Sequence, residues 1–182
     1  FVMTSYGTSS ERPMIKSESP EVLRIWPDKS YMAIVGLSLY AYTRDPLSSD
    51  FSGWGHVANS LAVRMYAPHN VVMGSILFED NLFNYFSTAI TLHGGGDFMD
   101  IVFRRNIIIN SFSEDSHSQG LYAAHASIFM EGNIFDHNGW YKQQIGEGNE
   151  GAEGQATMFN HNTYFSDANY TISRNNIFLR AS

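Results

Sequence analysis

Arg64, His93 and Tyr122 are side chains that could together hold an anion and move a proton. A guanidinium binds a carboxylate through two parallel N–H···O bonds. An imidazole can accept a proton near neutral pH, and a phenol can accept or donate one. Each of the three residues lies in a short segment in which apolar residues alternate. Whether they form one site therefore depends on a fold that brings these segments side by side.

Five short segments share this pattern. The first and third positions are mostly apolar, which is the period-two alternation of a half-buried β-strand. The segments are Leu23-Arg24-Ile25-Trp26, Val63-Arg64-Met65-Tyr66, Ile90-Thr91-Leu92-His93, Leu121-Tyr122-Ala123-Ala124 and Thr163-Tyr164-Phe165-Ser166. We expect these strands to form one sheet, the first sheet of the fold.

A second motif follows these segments: an apolar strand, a turn that ends in Asn, and an apolar residue two places later. Asn81, Asn106, Asn133 and Asn176 mark four copies, and Leu37 takes the same place in an earlier one. The intervals are 25 (81 to 106), 27 (106 to 133) and 43 (133 to 176) residues. A repeat of about 25 residues without helical periodicity predicts an all-β parallel solenoid of about five coils with loops of unequal length.

Stacked coils place equivalent residues above one another. At the turn, we expect each Asn to adopt a left-handed backbone and to bond its amide to the next Asn, forming a ladder. Two apolar columns would fill the interior. They are Leu39, Phe83, Ile108, Phe135 and Phe178, and Ile34, Phe78, Phe103, Met130 and Ser173.

The position two before each Asn supports this alignment. It reads Glu79, Arg104, Glu131 and Arg174, so neighbouring coils carry opposite charges. Opposite charges on adjacent parallel strands attract, whereas like charges would repel. We interpret this series as a surface charge ladder worth less than about 1 kcal/mol per pair, not as a functional site.

The Asn ladder, the apolar columns and phrases such as Arg174-Asn175-Asn176-Ile177-Phe178 resemble the right-handed parallel β-helix superfamily, whose best-known members are pectate-lyase-like proteins. The resemblance extends over residues 1–182, which we predict to be one domain. Both ends stop within the strand pattern, so we expect a segment of a longer chain. The superfamily includes polysaccharide lyases, uronan epimerases, some glycosidases and phage tailspikes, and the motifs specify fold rather than function.

The resemblance implies that a polysaccharide lies along the outer face of the first sheet. The alignment places two columns on that face: Arg24, Arg64, Thr91, Tyr122 and Tyr164, and beside it Trp26, Tyr66, His93, Ala124 and Ser166. Aromatic rings can pack on the apolar faces of sugar rings, and arginines can bind uronate carboxylates. We predict that Arg24, Trp26, Tyr66, Tyr164 and His125 bind substrate.

The leading hypothesis is β-elimination or C5 epimerisation of a uronate. Arg64 would stabilise the carboxylate, His93 would act as the base, and Tyr122 as acid or base. Neither predicted column contains Asp or Glu, and hydrolysis requires paired carboxylates, so a glycoside hydrolase is disfavoured. The alternatives are a glycan-binding or tailspike-type adhesion module that uses the same aromatics without chemistry, and a purely structural solenoid.

The amino-acid composition excludes several classes of partner and binding site. A net charge of −7 disfavours a nucleic-acid interface, and the absence of Cys excludes disulfides and zinc–thiolate sites. No apolar run is long enough to span a membrane. With a polysaccharide as the expected partner, we predict a secreted, periplasmic or cell-surface location.

Two insertions follow the third strands of their coils, at residues 41–59 and 138–155, where they could wall the groove. The second carries Glu147, Glu150 and Glu153 among glycines. These oxygen ligands could bind Ca²⁺, but they lack a recognised ligand spacing, and a solvated loop is the alternative. The sequence therefore assigns no metal site and no definite cofactor.

Overall fold

A computed structural model describes residues 1–27, 29–114, 116–141 and 160–180. The described chain is all-β, with one short 3₁₀ helix, Tyr42–Arg44. Most strands belong to three parallel sheets. Sheet I contains the strands of the predicted first sheet, sheet II the strands before the Asn turns, and sheet III the strands after them. Within the described ranges, no helix has the length and apolar character needed to cross a membrane.

Sheet I is the predicted first sheet and has five strands. They are β3 (Glu21–Ile25), β6 (Leu61–Ala67), β9 (Thr88–Gly94), β13 (Ser118–Ala124) and β17 (Asn160–Ser166). Sheet II has six: β1 (Val2–Thr4), β4 (Met32–Val35), β7 (Val72–Glu79), β10 (Asp97–Arg104), β14 (Ala126–Glu131) and β18 (Tyr170–Arg174). Sheet III also has six: β2 (Met14–Lys16), β5 (Ser38–Tyr40), β8 (Leu82–Asn84), β11 (Ile107–Ile109), β15 (Ile134–Asp136) and β19 (Ile177–Leu179).

The chain visits sheets II, III and I in turn, and each return adds the next parallel strand to the same sheet. A fourth, two-stranded parallel sheet joins β12 (Phe112–Ser113) to β16 (Trp140–Tyr141). This topology is consistent with a parallel β-helix. The sequence predicted about five coils, and the described part of the chain has five strands in sheet I and six in each of the other two.

The predicted interior columns are paired in register. Leu39, Phe83, Ile108, Phe135 and Phe178 face one another across sheet III. Ile34, Phe78, Phe103, Met130 and Ser173 do so across sheet II. The rings of Phe78 and Phe103 stack with centroids 5.0 Å apart. The first four members of each column are buried, whereas Phe178 and Ser173 are exposed. Burial of the eight large side chains is the main favourable contribution to folding.

The asparagine ladder forms as predicted. The side-chain amide of Asn81 donates to the Oδ1 of Asn106 at 3.0 Å, Asn106 to Asn133 at 3.0 Å, and Asn133 to Asn176 at 2.8 Å. Each of these three amides also donates to a backbone carbonyl of sheet II. The Leu37 N–H donates to Asn81, so the ladder ends where Leu replaces Asn. These bonds satisfy the side chains of Asn81, Asn106 and Asn133, which are fully buried.

The predicted backbone of the ladder residues was wrong. The left-handed conformation belongs to the residue before each Asn: Asp80 (φ 55°), Arg105 (φ 54°), Gly132 (φ 66°) and Asn175 (φ 54°). The Asn is selected for its two-sided amide rather than for its backbone freedom, because its side chain must donate and accept within the interior.

Candidate functional site

The outer face of sheet I, called here the groove face, carries the predicted column in register. Arg24 pairs with Arg64, Arg64 with Thr91, Thr91 with Tyr122, and Tyr122 with Tyr164. In the neighbouring column, Tyr66 pairs with His93. The structure therefore brings Arg64, His93 and Tyr122 onto adjacent strands of one face.

A further column on this face was missed by the sequence reasoning. It consists of Glu21, Leu61, Thr88, Gln119 and His161, which are paired across the five strands of sheet I. Strict alternation would place these residues on the side of the interior column, two positions before Leu23 and its equivalents. Instead, Leu61, Thr88 and Gln119 line a depression of the groove face together with Arg64, Thr91, His93 and Tyr122. The residues that follow them, Ala62, Ala89 and Gly120, are buried, as are the next ones, Val63, Ile90 and Leu121.

Small side chains permit this break in the alternation. A Cβ on Gly120 would lie only 2.6 Å from the carbonyl oxygen of Asn162. Gly120 therefore has no room for a side chain, and the equivalent residues of the other two central strands, Ala62 and Ala89, are also small. The Ala-Val, Ala-Ile and Gly-Leu pairs at equivalent positions were the sequence signal that could have revealed this column.

Glu21 organises the charge on the groove face. Its Oε2 accepts hydrogen bonds from Arg24 at 2.5 Å, and its Oε1 accepts from Arg64 at 2.5 Å. The hydrogen bonds from Arg24 and from Arg64 lower the pKa of Glu21 to about 2, against the opposing effect of partial burial. The carboxylate is therefore ionised at neutral pH. Two positive groups face one negative group, which leaves this cluster with an excess positive charge.

His93 extends the cluster to the next strand. The Nε of Arg64 donates to the Nε2 of His93 at 3.0 Å, and the His93 ring packs against Tyr66 with centroids 5.1 Å apart. Burial and the positive charge of Arg64 lower the pKa of His93, with Glu21 acting in the opposite direction. The imidazole is therefore neutral at pH 7, and its Nε2 lone pair is engaged by Arg64. We call Glu21, Arg24, Arg64 and His93 the groove cluster.

Two depressions adjoin Arg64 on the groove face. The first is shallow, and Arg64, His93 and Tyr122 line it together; its remaining lining residues are Leu61, Thr88, Thr91 and Gln119. The second is smaller and mainly apolar, with a volume of about 240 Å³, and is lined by Arg24, Ile25, Trp26, Pro27, Arg64 and Tyr66. Arg64 lines both depressions, so a ligand that filled them would contact it from either side.

Aromatic residues lie at both ends of this face. Trp26 is 62% exposed and Tyr66 is 43% exposed, although the guanidinium of Arg24 lies 5.4 Å from the Trp26 ring. At the other end Tyr122 stacks on Tyr164 with centroids 5.8 Å apart, and Tyr164 stacks on His161 at 5.3 Å. The face thus combines cations at its first two strands with a stack of rings at its last two.

One expectation about this face requires correction. Glu21 contradicts the expectation that the groove face has no acidic residue, because the break in alternation turns it outward. It is a single carboxylate held by two arginines, not the carboxylate pair that hydrolysis requires. His125, predicted to bind substrate, lies in the turn between β13 and β14 with φ 49°. It is therefore outside the paired columns of the face.

The insertion at residues 41–59 is tied to the coils that follow it. Arg44 is buried, and its guanidinium donates to the carbonyl oxygens of Tyr85, Ala58 and Phe112. The carboxylate of Glu114 accepts from two backbone N–H groups of the insertion. Tyr85, Phe112 and Glu114 precede β9 and β13, so the insertion borders the end of sheet I at which its strands begin.

The second insertion is described only to residue 141. The acidic residues considered for Ca²⁺, Glu147, Glu150 and Glu153, lie outside the described residues. Within the described part of the chain, no group of three or more His, Asp or Glu side chains could hold a metal ion.

Comparison of the chain with protein-family models, with curated proteins and with solved structures found no match.

Proposed function

We propose that this chain is a right-handed parallel β-helix of the pectate-lyase-like kind that binds an acidic polysaccharide along the groove face. The observation that carries the proposal is the groove cluster itself. Two arginines and one carboxylate lie beside exposed aromatic rings on a single face of a protein whose net charge is −7. A local positive charge on an otherwise acidic protein attracts an anionic ligand, and exposed aromatic rings beside it can pack on the apolar faces of sugar rings.

The two ends of the face would bind different parts of the polymer. Arg24 and Arg64 would bind uronate carboxylates at the first two strands, with Trp26 and Tyr66 packing on sugar rings there. The stack of Tyr122 on Tyr164 would support further sugars at the last two strands. Such polymers occur outside cells and on their surfaces, so we propose a secreted, periplasmic or cell-surface location.

Binding is tested by electrophoresis in gels that contain a polyuronate, with the carboxyl-reduced form of the same polymer as the matched neutral ligand. We expect retardation in the acidic polymer and much weaker retardation in the reduced one. Equal migration in gels with and without the acidic polymer would contradict the proposal. Retardation that is equal in both polymers would contradict the role given to the arginines.

A second candidate is elimination or C5 epimerisation on the same face. It is favoured by the depression that Arg64, His93 and Tyr122 share and by the neutral imidazole, which is the form a base requires. The observed hydrogen bonds set a condition on it. His93 can accept a proton at Nε2 only after Arg64 has released that atom, so a bound uronate must draw Arg64 toward its own carboxylate.

This candidate is tested by incubating the protein with uronan polymers and following the ultraviolet absorbance of unsaturated sugars. A rate that is lost in His93→Ala and reduced in Tyr122→Phe would support the assigned roles. A rate that both variants retain would contradict them. Polymer binding without any absorbance change would favour the non-catalytic module over the lyase, and solvent tritium exchange at C5 would then test epimerisation.

A further inference from the structure

The guanidinium groups of Arg24 and Arg64 both face the same internal carboxylate. Each side chain of the pair contacts Glu21 at 2.5 Å, one through Oε2 and the other through Oε1. This is the place that a uronate carboxylate would occupy if the same two arginines bound a ligand, because the planar forks determine where an oxygen pair can sit. Glu21 thus resembles a bound ligand carboxylate supplied by the chain itself.

The arginines remain accessible from solvent, whereas Glu21 is more enclosed. The side chains of Arg24 and Arg64 are 47% and 34% exposed, and that of Glu21 is 16% exposed. Glu21 also lines a shallow open depression, together with Ser19, Pro20, Val22 and Arg24 but without Arg64. The Glu21 side chain therefore has solvent-filled space into which it can rotate.

We propose that Glu21 is a specificity-determining residue that competes with the ligand for Arg24 and Arg64. This inference rests on the proposed function, since it concerns the same face and an anionic sugar. In the free protein Glu21 occupies both arginines, and a ligand carboxylate replaces it while Glu21 rotates into the adjacent depression.

The competition makes the site selective. A neutral sugar that contacts only Trp26 and Tyr66 leaves Glu21 in place and gains nothing from the arginines. A uronate restores the ion pairs that are lost when Glu21 leaves, and it gains ring contacts as well. Removing Glu21 should therefore strengthen binding of the acidic ligand, whereas removing a carboxylate that only positioned the arginines would weaken it.

The experiment measures the affinity of a uronate hexasaccharide and of its carboxyl-reduced counterpart for the wild-type chain, Glu21→Gln and Glu21→Ala. The matched control is Glu79→Gln. Glu79 also lies between two arginines, Arg104 and Arg105, but on sheet II, and this variant changes the net charge by the same amount.

We expect both Glu21 variants to bind the acidic hexasaccharide at least about threefold more tightly than wild type, with less than twofold change in Glu79→Gln and for the reduced ligand. Unchanged or weaker binding in the Glu21 variants would overturn the inference. A gain of equal size in Glu79→Gln would also overturn it, because net charge alone would then explain the effect. If neither the wild-type chain nor any variant binds the acidic ligand, the proposed function fails together with the inference. If the wild-type chain binds the acidic ligand and the Glu21 variants bind it no better, the proposed function stands and only the inference about Glu21 fails.

Discussion

Two clusters in this molecule share the same ion-pair chemistry and differ in their surroundings. In the groove cluster, Glu21 accepts from Arg24 and Arg64. In the second, called here the ladder cluster, Glu79 is held by Arg104 through bonds of 2.8 and 3.0 Å and by Arg105, while Asp80 binds Arg105 at 2.9 Å. Both carboxylates have pKa values lowered by their arginines.

Charge balance and neighbours distinguish the two clusters. The ladder cluster pairs two carboxylates with two guanidiniums, and Glu131 lies in register with Arg104. The groove cluster has two guanidiniums for one carboxylate, a neutral His93, and exposed rings beside it. An ion pair alone is therefore uninformative about function, whereas an excess cation beside exposed aromatic rings indicates a ligand site.

The largest difference between the clusters should appear on truncating one arginine in each. Arg64→Ala should weaken binding of a uronate hexasaccharide roughly tenfold or more, because a charge-assisted contact to the ligand is removed. Arg104→Ala should leave the affinity within about twofold. Titration calorimetry on both variants measures this contrast, and equal losses would show that the groove cluster has no special role.

Removing an aromatic residue of the groove face should weaken ligand binding less than removing Arg64, and it should weaken binding of both ligands. We expect Trp26→Ala to weaken binding of the acidic and of the carboxyl-reduced oligosaccharide about fivefold, because ring contact does not depend on ligand charge. Tyr31→Ala, at an exposed residue outside the three columns, is the control. A loss confined to the acidic ligand would indicate that Trp26 acts only by orienting Arg24.

The electrostatic link between Arg64 and His93 should be visible in the imidazole titration. Burial and Arg64 lower the pKa of His93 and Glu21 raises it, so Arg64→Ala should raise that pKa and Glu21→Gln should lower it. Arg104→Ala should not change it. Proton NMR of the imidazole as a function of pH measures these shifts. An unchanged value in Arg64→Ala would mean that the 3.0 Å contact does not persist in solution.

The smallest expected effects concern stability. Each carboxylate has a folded-state pKa below its ordinary value of 4.5, so its stabilising contribution is present above about pH 4.5 and is lost as pH falls through the folded-state pKa. Glu21→Gln and Glu79→Gln should each lower the free energy of unfolding by about 1 kcal/mol or less at pH 7. For Glu21 the difference from wild type should shrink between about pH 4.5 and pH 2. Urea unfolding across this range tests the prediction, and a difference that grew on acidification would contradict it.

The sequence was sufficient to predict the columns because stacking repeats the same physical requirement at every coil. Apolar residues recur where the chain faces the interior, and Asn recurs where an amide must donate and accept, so Phe83, Phe135, Asn106 and Asn133 could be aligned without coordinates. The same alignment predicted that Glu79 and Arg104 lie opposite each other, and the structure pairs them across β7 and β10.

The groove cluster could be predicted only in part. Arg64, His93 and Tyr122 follow the alternation, but Glu21 faces outward only because two successive residues turn inward beside it. Alternation gives no sign of such a break, and the small residues Ala62, Ala89 and Gly120 are its only trace in the sequence. Side-chain hydrogen bonds also depend on interatomic distances, which a sequence pattern does not give. The hydrogen bond from Arg64 to His93 could therefore not be predicted.

The most direct test maps ligand contacts by NMR, following the Trp26 indole N–H, the His93 ring and the arginine Nε–H signals during titration with a uronate hexasaccharide. We predict saturable shifts at Trp26, Arg24, Arg64 and His93, with the signals of Arg104 and Arg105 unchanged. Shifts confined to Arg104 and Arg105, or no shift at a saturating ligand concentration, would contradict a ligand site on the outer face of sheet I.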